Sequence, residues 1–214
     1  GMDQGSAELN SSNIKGKNPF ADKRVRLAMY HALDMEAIKD KVMRGQSVPA
    51  GIITAPGVNG YTAARDQRLP YDPELSKKLL AEAGYPNGKG LPVIKYDTLA
   101  KTVSRQMGEF FKKQMAMIGV NVEVVTNTWP QLTEKVHKRQ TQTYGMAWVG
   151  DYPDAENILQ LLLSTNGAAL NKTGFKNSKF DRLYNEYVSD FSQDNRQKLL
   201  YQMENIVDEN CPWI

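Results

Sequence analysis

Apolar positions recur along this chain with two periods, and the switches between them predict alternating helices and strands. After Asp22, Val25, Ala28 and Ala32 fall at helical spacing. Asp34 then stands where it caps a second helix carrying Met35, Ile38 and Val42, with Gly45 as the stop. From Val48 to Leu69 the pattern breaks up around Pro49, Gly51, Pro56, Gly57 and Gly60, which predicts a long loop with one short strand, Gly51 to Thr54. Loops this long inside a domain tend to be functional or to pack across a surface. Asp72-Pro73-Glu74 combines an N-cap, a first-turn proline and an acid at the positive helix end. The helix it starts carries Leu75, Leu79, Leu80 and Ala83 and closes at Gly84.

Leu91 to Tyr96 reads as a strand. Val103, Met107, Phe110, Phe111 and Ile118 line a long amphipathic helix ending at Gly119, and Val120 to Val125 alternates as a β-branched strand. A short helix from Pro130 to Lys138 and a strand from Tyr144 to Val149 follow. In the last third, Asp154 caps a helix with Ile158, Leu161 and Leu162. Ser178 begins another with Phe180, Leu183, Tyr187 and Val188 inward, and Ser192 a third with Leu199, Met203, Ile206 and Val207. A short strand is expected near Leu9. The alternation predicts an α/β fold, a mixed β-sheet flanked by helices.

Composition narrows the function. A chain of 214 residues buries a sizeable core. Its 27 basic against 24 acidic residues leave a net charge of +3, too weak and too dispersed to argue for nucleic acid or an anionic membrane. The one basic cluster, Lys135, His137, Lys138 and Arg139, reads as a solvated helix face. Cys211 is the sole cysteine, so no intramolecular disulfide or thiolate cluster forms, and it is expected to pack as a small hydrophobe. His31 and His137 lie too far apart to make a metal site by spacing, and no cofactor is expected. No phosphate-cradling glycine loop and no Gly-x-Ser-x-Gly elbow is present. Nor does any stretch approach the ~20 apolar residues of a spanning helix.

The candidate chemistry lies in Ala147-Trp148-Val149-Gly150-Asp151-Tyr152-Pro153-Asp154. A strand delivering an acid just past its C-terminal end, between aromatics, holds a carboxylate on a rigid support for a cationic ligand group. The same residues also read as a strand end followed by a helix cap. Asp151 paired with Asp154 or Glu156 is, in turn, the carboxylate pair of a hydrolase such as a glycosidase.

Four stretches in order carry a family resemblance: Asn18-Pro19-Phe20-Ala21-Asp22-Lys23-Arg24-Val25-Arg26-Leu27-Ala28 with Ala32-Leu33-Asp34; Tyr71-Asp72-Pro73 with Lys77 to Pro86; Ile118-Gly119-Val120 followed by Trp129; and Trp148 to Asp154. Together they resemble the family 5 extracellular solute-binding proteins, the dipeptide- and oligopeptide-binding receptors of ABC importers. The resemblance implies the C-terminal lobe of a two-lobed, type II-like periplasmic binding protein, and no enzyme. Residues 1–8 are then a cloning scar and disordered lead-in, and residues 9–214 a single ligand-binding lobe truncated at its C-terminal end. The implied partners are a short peptide or similar small ligand, the missing N-terminal lobe and a membrane permease, with no nucleic acid. The implied location is periplasmic, although Gly1 to Ser6 form no signal peptide.

Residue by residue, the resemblance implies that Asp151 pairs with a peptide α-ammonium and that Trp148 lines the pocket beside Tyr152. Trp129, nineteen residues before Trp148, matches a second pocket tryptophan, and His137 falls where some oligopeptide binders place a ligand-contacting histidine. An arginine that holds the peptide C-terminus in relatives is replaced by Gly145. That departure leaves open a non-peptide cargo on the same fold: a metal complex, haem or an oligosaccharide.

Overall fold

The computed structural model describes residues 1–5, 17–67 and 69–214, so the strand expected near Leu9 lies outside the described residues. Helix α1 (Lys23–His31) begins where Asp22 accepts the Arg24 amide, and Asp34 caps α2 (Met35–Ala37), which runs on as a π-helical turn to Val42. Asp72 caps α3 (Pro73–Glu82) through the Leu75 amide. Strand β1 (Ile94–Leu99), helix α4 (Thr102–Met117), β2 (Val122–Asn127), α5 (Trp129–His137) and β3 (Thr143–Tyr144) form the α/β centre. Helices α6 (Glu156–Leu159), α7 (Ser178–Ser189) and α8 (Gln193–Asn210) complete the chain. Among the described residues no helix is long and apolar enough to cross a membrane.

The strand order is β2-β1-β3, all parallel, and an antiparallel bridge from Met2 to Thr143 gives the sheet its mixed character. From β1 the chain moves to one side to reach β2 and then back across to reach β3. Right-handed crossovers therefore put α4 and α5 on opposite faces. The apolar clusters agree: Phe111 and Met115 of α4 join a large core with α1 and α3, whereas Leu132 and Val136 of α5 pack separately with Tyr144. Buried Asp97 on β1 is neutralised from the α5 side by Lys135 at 2.8 Å and receives the Asn127 amide at 3.0 Å.

Three strand expectations need correction. Gly51 to Thr54 forms bends and no strand. β1 starts at Ile94 rather than Leu91, since Pro92 has no amide to give a ladder. The run from Tyr144 to Val149 is a strand only at its first residue: the Gly145 amide makes the last ladder bond, to Asp97 at 2.9 Å, and Ala147 to Gly150 stand exposed. Val103 and Val188, assigned to apolar helix faces, are exposed as well.

A second large core gathers α6, α7 and α8 around Leu159, Phe180, Tyr187 and Leu200. The long loop packs across it. Thr54 and Arg65 both bond the buried Glu204 carboxylate, at 2.9 and 3.0 Å, and the Arg65 guanidinium lies 4.6 Å over the Tyr201 ring. Arg26 ties the two cores together, giving Nε and Nη2 to the Asn210 carbonyl at 2.8 and 2.6 Å and Nη1 to Phe20 at 2.6 Å.

Candidate ligand-binding site

Parallel α/β sheets present ligand sites beyond the C-terminal ends of their strands. Trp129 follows β2 there, and the segment from Met146 to Tyr152 follows β3. Asp151 sits exposed in a bend seven residues past Tyr144, so a strand end does not support it. Its support is Asn157, whose side chain is 1% exposed in the first turn of α6. Asn157 Oδ1 accepts the Trp148 indole N–H at 2.8 Å and the Asp151 amide at 3.3 Å, while its Nδ2 donates to Asp151 Oδ2 at 3.4 Å. One carboxamide thus sets the indole and the carboxylate relative to each other.

Trp148, 39% exposed, walls a cleft of about 290 Å³ together with Met146, Ile158, Leu161, Leu170 and Lys172; Gly1, Trp213 and Ile214 also line it. Tyr152 is exposed beside it, with its hydroxyl on Glu156 Oε2. A Cβ at position 145 would meet the Tyr96 hydroxyl at 2.5 Å, so the partly buried tyrosine fills the space through which a side chain there would leave the backbone.

Trp129 and His137 are not part of this cleft. They line a shallow groove along exposed α5 with Pro130, Thr133, Glu134 and Lys138, and Trp129 is 55% exposed at the first turn, where Thr128 and Gln131 make a capping box. The basic cluster around His137 is no bare solvated face. Lys135 pairs with Asp97, Lys138 with Glu134 at 2.6 Å and Arg139 with Asp3 at 3.2 Å. His31 is structural, its Nδ1 2.7 Å from the Pro70 carbonyl, and Cys211 is buried.

The remaining acids are occupied. Asp154 accepts from Arg196 at 2.8 Å, Tyr187 at 3.1 Å, Asn59 at 3.1 Å and the Glu156 amide at 3.0 Å. Burial works to raise its carboxyl, and those donors outweigh burial and hold it below the ordinary range. Glu156 is taken by the hydroxyls of Tyr152 and Tyr184. These contacts are not those of two free carboxylates facing a water across a cleft, which the hydrolase reading requires. Among the described residues no group of three His, Cys, Asp or Glu side chains is placed to hold a metal. Asn157 carried no signal in the sequence beyond that of a polar residue in a helix's first turn.

Fold and site together describe an α/β lobe offering a half-open, aromatic-walled cleft at its strand ends. The chain belongs to the bacterial extracellular solute-binding proteins, family 5 Middle, whose profile matches residues 3–169. It is 35% identical over 204 residues to Heme-binding protein A of Haemophilus influenzae, covering 92% of this chain and 37% of that protein. It is 28% identical over 203 residues to the oligopeptide-binding protein OppA of Bacillus subtilis, covering 91% of this chain and 36% of the relative. The solved structure of HbpA2 from Haemophilus parasuis superposes with a TM-score of 0.83 at 26% identity, over 99% of this chain and 40% of that one. The chain therefore spans well under half the length of the relatives it matches.

Proposed function

We propose that this chain is the C-terminal ligand-binding lobe of a periplasmic receptor that captures short peptides for an ABC importer. The observation that carries the reading is Asp151: exposed, and aligned by buried Asn157 with the half-exposed Trp148 indole that walls the cleft. The names of relatives support the cargo, since these include oligopeptide- and dipeptide-binding proteins. In this reading an opposite lobe closes over the cleft and excludes water, which strengthens the contact between Asp151 and a peptide ammonium. A membrane permease then receives the closed complex, and no chemistry is performed on the ligand. The lobe takes in Met2, which bridges to the sheet, and Asp3, which pairs with Arg139, as well as residues 9–214, and Trp129 and His137 belong to an outer part of the ligand-facing surface.

The test is calorimetry of di- and tripeptides on the receptor carrying both lobes, wild type against Asp151→Ala. Loss of a charge-assisted contact is expected to weaken binding by about tenfold or more. Undiminished affinity in the variant, or equal affinity for N-acetylated peptides, ends the ammonium reading. A co-purified ligand identified by mass spectrometry as haem would move the assignment to the cargo class named for the Haemophilus influenzae relative.

A further inference from the structure

The wall facing the cleft carries one charged side chain, Lys172, among Met146, Trp148, Ile158, Leu161 and Leu170. Its ammonium lies 5.6 Å from the centroid of the Trp148 ring, a cation stacked on the indole that walls the site. It gives one hydrogen bond, to the Ala169 carbonyl at 2.7 Å, and among the described residues no carboxylate pairs with it. Two of its three N–H donors therefore have no protein acceptor there.

The position is fixed by its neighbours. Buried Asn171 is bonded to the carbonyls of Leu163 and Phe175 at 3.0 and 2.7 Å, and Arg139 grips the carbonyls of Asn171 and Lys172 at 3.2 and 3.4 Å. Partial burial pushes the Lys172 ammonium down from its ordinary value. A partly buried cation on a pinned loop, with no carboxylate partner among the described residues, gains most from an anion brought by a ligand.

We propose that Lys172 and Trp148 form an anion subsite, so that the preferred ligands carry a carboxylate on an apolar or flat body that packs against the indole. This rests on the peptide-receptor reading and narrows it to peptides bearing an acidic side chain close to the Trp148 wall. Lys172 is the one cationic side chain among the residues that line this cleft.

The experiment measures dissociation constants on the receptor carrying both lobes for Glu-Ala-Ala, Ala-Glu-Ala and Ala-Ala-Glu, each against its glutamine counterpart. Wild type is expected to favour the acid over the amide about tenfold for at least one position. Lys172→Met should abolish that preference, Lys172→Arg should keep it and Lys172→Glu should reverse it. An acid-to-amide ratio near one at every position, or a preference that survives Lys172→Met, overturns the subsite while leaving the peptide reading intact. Binding of none of the six peptides overturns both. Loss of affinity on N-acetylation reports on Asp151 alone, so the two ideas fail separately.

Discussion

At the residue scale the site depends on a side chain that touches no ligand in the proposed reading. Asn157 is buried and spends its oxygen on the Trp148 indole and the Asp151 amide, and its nitrogen on the Asp151 carboxylate. Removing it leaves a partly buried indole donor without its protein acceptor, a loss of about 1 kcal/mol in site order. Asn157→Ala is therefore expected to weaken peptide binding about tenfold and to shift Trp148 emission, seen as the difference from the same variant carrying Trp148→Phe. Unchanged affinity with unchanged emission would remove Asn157 from the site. Trp148, Asp151 and Tyr152 stand out in the sequence as candidates because a Trp-x-x-Asp-Tyr run beyond an apolar stretch is unusual. Their support does not: the contact closes only when the chain turns back between residues 148 and 157, and no periodicity encodes that turn.

At the element scale, helices were readable and strand limits were not. Asp22, Asp34, Asp72 and Ser192 cap the helices they announce, because a cap is a local hydrogen bond between neighbouring residues. Strand limits depend on which neighbour is available. β1 runs through Asp97 and Thr98, polar residues whose burial is made tolerable by Lys135 and Asn127 from elsewhere in the chain. β3 is two residues long: it pairs with β1 on one side, meets the short Met2 bridge on the other, and leaves β1 at Gly145. The turn between α4 and β2 was legible through Gly119, and the structure adds the reason. With φ at +81°, a Cβ there would also sit 2.0 Å from the Asn87 carbonyl oxygen. Gly119→Ala should lower stability by about 2 kcal/mol or more, through both the left-handed backbone and the backbone clash. Urea unfolding followed by circular dichroism checks this, and an unmoved midpoint would mean that the two turns separate freely.

At the scale of the whole molecule, Arg26 links the two cores, and within the second core a polar latch sets a pH dependence. The long loop is latched to α8 through Glu204, a carboxylate raised by burial, with Thr54 and Arg65 working against that rise. Asp208, one helical turn further along α8, is pushed up to about 6 from 3.8, first by burial and then by Glu204, with Glu209 adding and Arg65 opposing. A folded carboxyl with a raised pKa holds its proton where the unfolded chain has already released it. Stability from this group therefore falls as pH rises from about 4 to about 6, and is flat above that window. Asp208 is only partly buried, so the penalty at neutral pH is about 1 kcal/mol after screening. Asp208→Asn should then stabilise the protein at pH 7.5 by about that amount and much less at pH 4.5. Other carboxylates slope the opposite way, among them Asp22 and Asp154, both held below their ordinary range. Their contributions cancel in the difference between variant and wild type, which isolates Asp208. Urea midpoints of both proteins at the two pH values give that difference directly. A gain of equal size at both would show that the substitution acts through packing, and that the carboxylate on α8 is no burden on the latch that holds the loop across the second core.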